Sequence, residues 1–338
     1  MKQIRTEDGV GQVLCHDITQ IVKDVTKGPL FRKGHVITRE DIPVLLSLGK
    51  DHVYIWEKDE TMLHENEAAQ ILCHICKGKH IHASEAKEGK IELIADCDGL
   101  LKVNTELLRK INMLGQMMIA SRHGNFPVKK GDVLAGTRII PLVIEKEKME
   151  QAKRMAGDET ILELKPFVHK KAGIVTTGNE VYHGRIQDTF TPVVKEKLME
   201  YDVEILDCKI CDDSHERITT AISELAGRGA QLILCTGGMS VDPDDRTPLA
   251  IKNTGARVVS YGVPVLPGAM FMLAYLDNIP LVGLPGCVMY AKRTIFDLVL
   301  PRIMADDLVT AKELAELGEG GLCLNCPLCT FPQCGFGR

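Results

Sequence analysis

Residues 231–245 read QLILCTGGMSVDPDD: an apolar run stops at a Thr-Gly-Gly turn and gives way to a loop carrying Asp242, Asp244 and Asp245. The run QLILC does not alternate, which predicts a strand covered on both faces, the habit of a parallel sheet between helices. Gly237 and Gly238 let the backbone come close to an anion, and Ser240 adds a hydroxyl donor. Carboxylates repel that anion unless a hard divalent ion lies between, because magnesium is held by one or two carboxylates together with phosphate oxygens. The stretch therefore points to a phosphate-bearing ligand with Mg2+ at the exit of a parallel strand, with Arg246 available for a further anionic oxygen. The plain structural alternative is a solvated acidic turn in which Asp245 or Thr247 caps the helix TPLAIKNTG (247–255).

The flanking sequence repeats this pattern. AGIVTTG (172–178), VEILDCKI (203–210), RVVSYGV (257–263) and IPLVGLPG (279–286) read as further strands. TPVVKEKLMEY (191–201), DDSHERITTAISELAGRG (212–229, with Asp213 or Ser214 as N-cap) and a long helix from Cys287 to about Ala305 alternate with them. Open parallel sheets bind ligands beyond the carboxyl ends of their strands. Those ends carry Thr176, Thr177 and Gly178; Asp212 and Asp213; Thr236, Gly237 and Gly238; and Pro285 and Gly286. Gly286 is expected to open the long helix, whose free N–H groups and dipole favour a phosphate.

Upstream, residues 1–57 read as an α+β segment in which Ile42, Leu45, Leu46 and Leu48 form the apolar side of a helix. Residues 66–145 read as a small α+β or barrel-like domain, 146–170 as a linker with helical character, 171–306 as an α/β unit with an open, mostly parallel three-layer sheet, and 318–338 as a Cys-rich tail. The chain has 338 residues, 45% hydrophobic and 26% charged, with 41 basic and 46 acidic side chains for a net charge of -5. No basic track suggests nucleic acid. The start, MKQIRTEDGV, is too polar for a signal peptide, and the most apolar region is broken by Pro, Gly and Asp277, so a soluble cytoplasmic protein without a membrane segment is expected.

TTGNEV (176–181), GRIQD (184–188), CDDSHE (211–216), TGGMSVDPDD (236–245), LPGAMF (266–271) and GLPGCVMYA (283–291) occur in one order. In that order they resemble the molybdopterin-binding domain of molybdenum-cofactor biosynthesis proteins, above all the molybdopterin molybdenumtransferase family of bacterial MoeA and the gephyrin E domain. The resemblance implies a crevice that takes molybdopterin or its adenylated form, with Thr177, Gly178, Asn179, Glu180, Gly237, Gly238, Ser240, Pro285 and Gly286 against the ligand. It implies Asp242, Asp244 and Asp245 around magnesium, Asp245, Asp242 and Asp213 in catalysis, molybdate as co-substrate, a homodimer and a molybdoenzyme client. Two positions depart from the family. Its TGDEL aspartate falls on Asn179, and its PGKPF lysine falls on Ala269.

Twelve cysteines in a reducing compartment read as thiols or metal ligands. Cys323, Cys326, Cys329 and Cys334 form C-x2-C-x2-C-x4-C in a tail too poor in apolar residues for a core of its own. The spacing is one residue longer than the ferredoxin run C-x2-C-x2-C-x3-C-P, and four thiolates also suit zinc. An iron–sulfur cluster, Zn2+ and a metal-free tail, disordered or redox-active, all stand at this point. Cys73 and Cys76 in LCHICKGKHIH share a helix face with Ala69 and Leu72 and read as buried thiols. For the whole chain three functions are open: a molybdenumtransferase-like enzyme, a molybdopterin carrier or chaperone without turnover, and a nucleotide pyrophosphatase on the same domain.

Overall fold

The computed structural model describes residues 2–22, 26–55, 59–240, 242–243 and 245–338, and in it the run QLILC supplies an inner strand of a six-stranded sheet. The strands are β1 (Lys171–Thr177), β2 (Glu204–Cys211), β3 (Leu232–Thr236), β4 (Arg257–Tyr261), β5 (Met272–Leu276) and β6 (Ile279–Leu284), in the order β2-β1-β3-β6-β5-β4. β2, β1, β3 and β6 run parallel, with Ala172 opposite Leu232 and Ile233 opposite Leu281. β5 and β4 are antiparallel additions, with Met272 opposite both Gly283 and Tyr261.

Helices α1 (Phe190–Met199), α2 (His215–Gly227), α3 (Thr247–Asn253) and α4 (Ile295–Met304) cover the two faces. The two-residue period of a strand decides which side chain meets which layer. Ile174, Leu232, Leu234 and Val282 pack with Val194 and Leu198 of α1 and Phe296 and Val299 of α4. Val175, Ile233, Cys235 and Leu281 pack with Ile218, Ile222 and Leu225 of α2 and Ile251 of α3. Each such side chain, fully buried, contributes about 1.5–3 kcal/mol of transfer free energy. α2 starts where expected: the Ser214 hydroxyl accepts the Arg217 N–H at 3.4 Å. For α1 the cap is Asp188, whose carboxylate accepts the N–H groups of Phe190 and Thr191 at 2.9 and 3.0 Å.

MLAYL (272–276) is a strand with no assignment from sequence. One expectation fails here: the long helix from Cys287 does not exist, since Gly286–Met289 is one 3-10 turn and α4 begins only at Ile295. The cause is a new helix start inside the apolar run. Asp297 accepts the Thr294 N–H at 2.7 Å while the Thr294 hydroxyl accepts the Phe296 N–H at 3.2 Å, a capping box that fixes Thr294 in extended backbone.

The chain divides into two compact units, one of residues 1–96, 103–122 and 130–164, the other of 97–102, 123–129 and 165–338. The first holds an antiparallel sheet of Ile81–Ala83, Lys90–Ala95, Val133–Ile139 and Met117–Ser121, with helices Glu65–Cys76, Thr105–Asn112 and Lys146–Ala156. Met149, Ala152 and Ala156 are buried, so the helical part of 146–170 belongs to this unit's core. Cys73 and Cys76 are buried as read, and burial pushes both thiols up from their ordinary value. Near the N-terminus, Leu45 is fully buried and Ile42 and Leu48 pack beside it, while Leu46 is exposed. Among the described residues no helix is long and apolar enough to cross a membrane.

The tail folds onto the second unit. Leu266 donates its N–H to Gly321 and accepts that of Cys323, both at 2.8 Å, and Phe336 is buried in the α1/α4 core. The tail is thus packed against the sheet unit. It draws its apolar support from the sheet unit rather than from itself.

Candidate functional site

β2 lies on one side of β1 and β3 on the other, so the strand order reverses at β1 and opens a crevice beyond Thr177 and Thr236. The walls of that crevice are set by hydroxyls and glycines. Thr177 Oγ1 donates to the Thr236 carbonyl at 3.2 Å and lies 3.2 Å from Thr247 Oγ1. The Thr247 hydroxyl in turn donates to the Gly237 carbonyl at 2.9 Å, and the Thr247 N–H to the Gly238 carbonyl at 3.2 Å. Gly237 has φ +83°, and a Cβ there would sit 2.3 Å from the Thr177 carbonyl oxygen. The two strand exits therefore touch backbone to backbone, which only glycine permits. Thr177 is buried and its hydroxyl is spent on this scaffold, so its side chain braces the turn from behind.

Beyond the glycines the chain makes a tight acidic turn. The Asp245 N–H donates to the Asp242 carbonyl at 2.9 Å, and the Asp242 N–H reaches the Asp245 carboxylate at 3.4 Å. Asp242 is exposed and Asp245 half-buried; Asp244 lies outside the described residues. Tyr261, at the end of β4, donates its hydroxyl to the carbonyls of Met239 and Ser240 at 3.0 and 3.3 Å. Burial and the Asp245 charge both raise the Tyr261 phenol above its ordinary value, which keeps it a donor. Ser240 is exposed. Neither Tyr261 nor Thr247 emerges as a site residue from sequence: an isolated tyrosine at a strand end and a helix-start threonine carry no spacing signal.

At the β1 exit, Asn179 and Glu180 are exposed on a single helical turn, Asn179–Tyr182, after Gly178 with φ +136°. The Asn179 N–H donates to the Asp213 carboxylate at 3.0 Å, so Asp213 ties the turn to the end of β2. Asp212 pairs with Arg217 at 2.9 Å, and Arg217 also donates to the Tyr182 hydroxyl at 3.0 Å. At the β6 exit Pro285 is buried and Gly286 exposed. The expectation of a helix dipole there is corrected, since four residues of 3-10 turn sum too few peptide dipoles to favour an anion. Among the described residues no three His, Cys, Asp or Glu side chains are grouped closely enough for one ion. Asp242 and Asp245 remain a pair of hard oxygen donors on one turn, the number magnesium typically takes from a protein.

Residues 173–305 match the family described as "Probable molybdopterin binding domain". They form a molybdopterin-binding domain of the molybdenum-cofactor biosynthesis family. Residues 3–57 match a second family, described as a domain of unknown function. The molybdopterin molybdenumtransferase of Haemophilus influenzae is 28% identical over 185 residues, 52% of this chain and 43% of that protein. A CinA-like protein of Mycobacterium avium is 40% identical over 80 residues, 24% of this chain and 18% of that protein. The chain thus spans less than half the length of either relative. Among solved structures, the molybdopterin biosynthesis enzyme MoaB of Thermus thermophilus overlays on 42% of this chain and 98% of its own, with 22% identity and a TM-score of 0.35. The molybdopterin-binding domain coincides with the six-stranded sheet and its four helices, so the crevice between β1 and β3 is the crevice of that domain.

Proposed function

We propose that the chain acts in molybdenum-cofactor maturation by binding adenylated molybdopterin in this crevice, cleaving the phosphate linkage and placing molybdate on the dithiolene. The observation that carries the reading is the backbone contact between Thr177 and Gly237 at the point of strand reversal. It brings the two strand exits together beside the acidic turn of Asp242 and Asp245. In this reading Gly178, Gly237, Gly238 and Ser240 face the phosphate, and Asn179, Glu180, Pro285 and Gly286 form the mouth. Asp242 and Asp245, with Asp244, hold magnesium, which when bound would neutralise charge on the phosphate oxygens. Asp245 orients the attacking water, and Asp213 holds the Asn179 turn in place. The working form would be a cytoplasmic homodimer that hands its product to a molybdoenzyme. The four-cysteine tail is part of the proposal as a soft-metal centre, of iron–sulfur or zinc type.

The test is release of AMP from adenylated molybdopterin by the full chain with magnesium and molybdate. Asp245→Asn should abolish release while leaving pterin binding within about threefold; unchanged turnover would remove Asp245 from catalysis. One observation favours a second reading, a carrier that binds without turnover: Asn179 and Ala269 are both exposed and offer neither the carboxylate nor the cation of the family pattern. Tight pterin binding without AMP release would select it. Cleavage of a dinucleotide in place of the pterin substrate would select a pyrophosphatase.

A further inference from the structure

We infer that the tail is a binding site for a [4Fe–4S] cluster, seated in a pocket that the sheet unit helps to build. Cys323, Cys326, Cys329 and Cys334 all line one cavity of about 280 Å³, whose other walls include Lys292, Arg293 and Phe331. The pocket is anchored on several sides. Leu266 holds Gly321 and Cys323 through backbone bonds, and Lys292 Nζ donates to the Pro327 carbonyl at 2.8 Å. Phe331 packs 6.0 Å from Phe126 and 6.2 Å from Phe336, centroid to centroid. Apolar walls and two cations around four sulfurs suit a centre that carries net negative charge once its ligands are thiolates.

The volume separates a cluster from a single ion. Zinc draws four sulfurs to about 2.3 Å from one point, so the sulfurs stand about 3.8 Å apart. Here the four cysteines line one cavity of about 280 Å³, more than a single ion fills. A cubane with one cysteine on each iron uses that volume. Arg293 is positioned for it: Asp297 fixes the guanidinium at 2.8 Å, and the ring of Phe331 lies 5.1 Å beneath. Loading is a ligand exchange without electron transfer. Each cysteine thiol replaces one thiolate of a preformed cluster, and its proton leaves on the displaced thiol.

The experiment gives the full chain, without air, a synthetic [4Fe–4S] complex of a small thiolate, followed by desalting. Expected are four iron and four sulfide retained per chain, with the visible charge-transfer absorption of a cubane. Cys326→Ala with Cys329→Ala, both at exposed positions, should lose at least nine-tenths of the iron, and Cys287→Ala should keep it. Full retention in the double variant, or no retention by the unaltered chain, overturns the inference. So does displacement of the cluster by one equivalent of zinc, read with cobalt as the spectroscopic stand-in for tetrahedral thiolate. No pterin enters the measurement, so its failure leaves the crevice reading intact, and the reverse also holds.

Discussion

Replacing Gly237 by alanine probes the crevice where it is tightest. Two costs add. At φ +83° an L-residue sits in left-handed backbone, which costs about 1–2 kcal/mol. The new Cβ would also stand 2.3 Å from the Thr177 carbonyl oxygen, a backbone atom that no rotamer can move aside, so β1 and β3 must part at their ends, at an overpacking cost of about 1–3 kcal/mol. The sum is about 2–5 kcal/mol, which for a unit of this size lowers the melting temperature by about 4–20 °C. Parting the strand ends also displaces the Gly237 and Gly238 backbone, and affinity for a pterin phosphate should fall at least tenfold, about 1.4 kcal/mol. Thermal melts and ligand titrations of Gly237→Ala and Gly286→Ala form the assay. A Cβ on Gly286 meets nothing within 4 Å, so that variant should melt within about 1 °C of the parent, as surface changes do. Gly237→Ala with parental melting and parental affinity would refute the argument for contact at the strand reversal.

Thr247→Val removes the hydroxyl that holds the half-buried Gly237 carbonyl; a loss of about 0.5–1.5 kcal/mol in denaturant melts is expected. Asp307 gives a pH signature. Burial alone would raise its carboxyl, but Lys102 and Lys165, each at 2.9 Å, and Arg302 at 2.7 Å outweigh burial and hold it down to about 2. Its folded value is depressed, so its contribution of about 2–3 kcal/mol is complete above about pH 4 and disappears as pH falls towards 2. Asp307→Asn, which leaves three cations facing a neutral amide, should cost about 3–5 kcal/mol at pH 7 and flatten the stability profile between those limits.

The α/β half of the chain was legible because its strands and helices obey one local rule each. QLILC and AGIVTTG are unbroken apolar runs, and α2 carries Ile218, Ile222 and Leu225 between a Ser214 cap and Gly227. What stayed hidden depended on contacts distant in sequence. The capping box at Thr294 splits an apolar stretch that periodicity alone reads as one helix, and MLAYL is a strand because β6 lies beside it. The same holds at the site. The glycines and acids are visible as a motif, whereas the inward turn of the Thr177 hydroxyl and the brace from Tyr261, 22 residues from Met239, exist only once β1, β3 and β4 share a sheet edge.

Leu266 has a role that neither of its neighbours reveals. Its N–H and carbonyl hold the tail, and it immediately precedes Pro267 and Gly268, where a Cβ would collide with Ile295 at 2.4 Å. The segment 266–271 enters β5 at the sheet edge that also carries Thr236 and Leu284, so one short strip of backbone is gripped by the cysteine pocket at one end and reaches the crevice edge at the other. Two ligands that both stiffen one strip are thermodynamically linked, and linkage is reciprocal. If loading the cysteines tightens pterin binding by some factor, pterin must tighten cluster binding, measured by competition with a chelator, by the same factor. Paired titrations in which neither ligand changes the other's affinity would show that the strip does not couple the two sites.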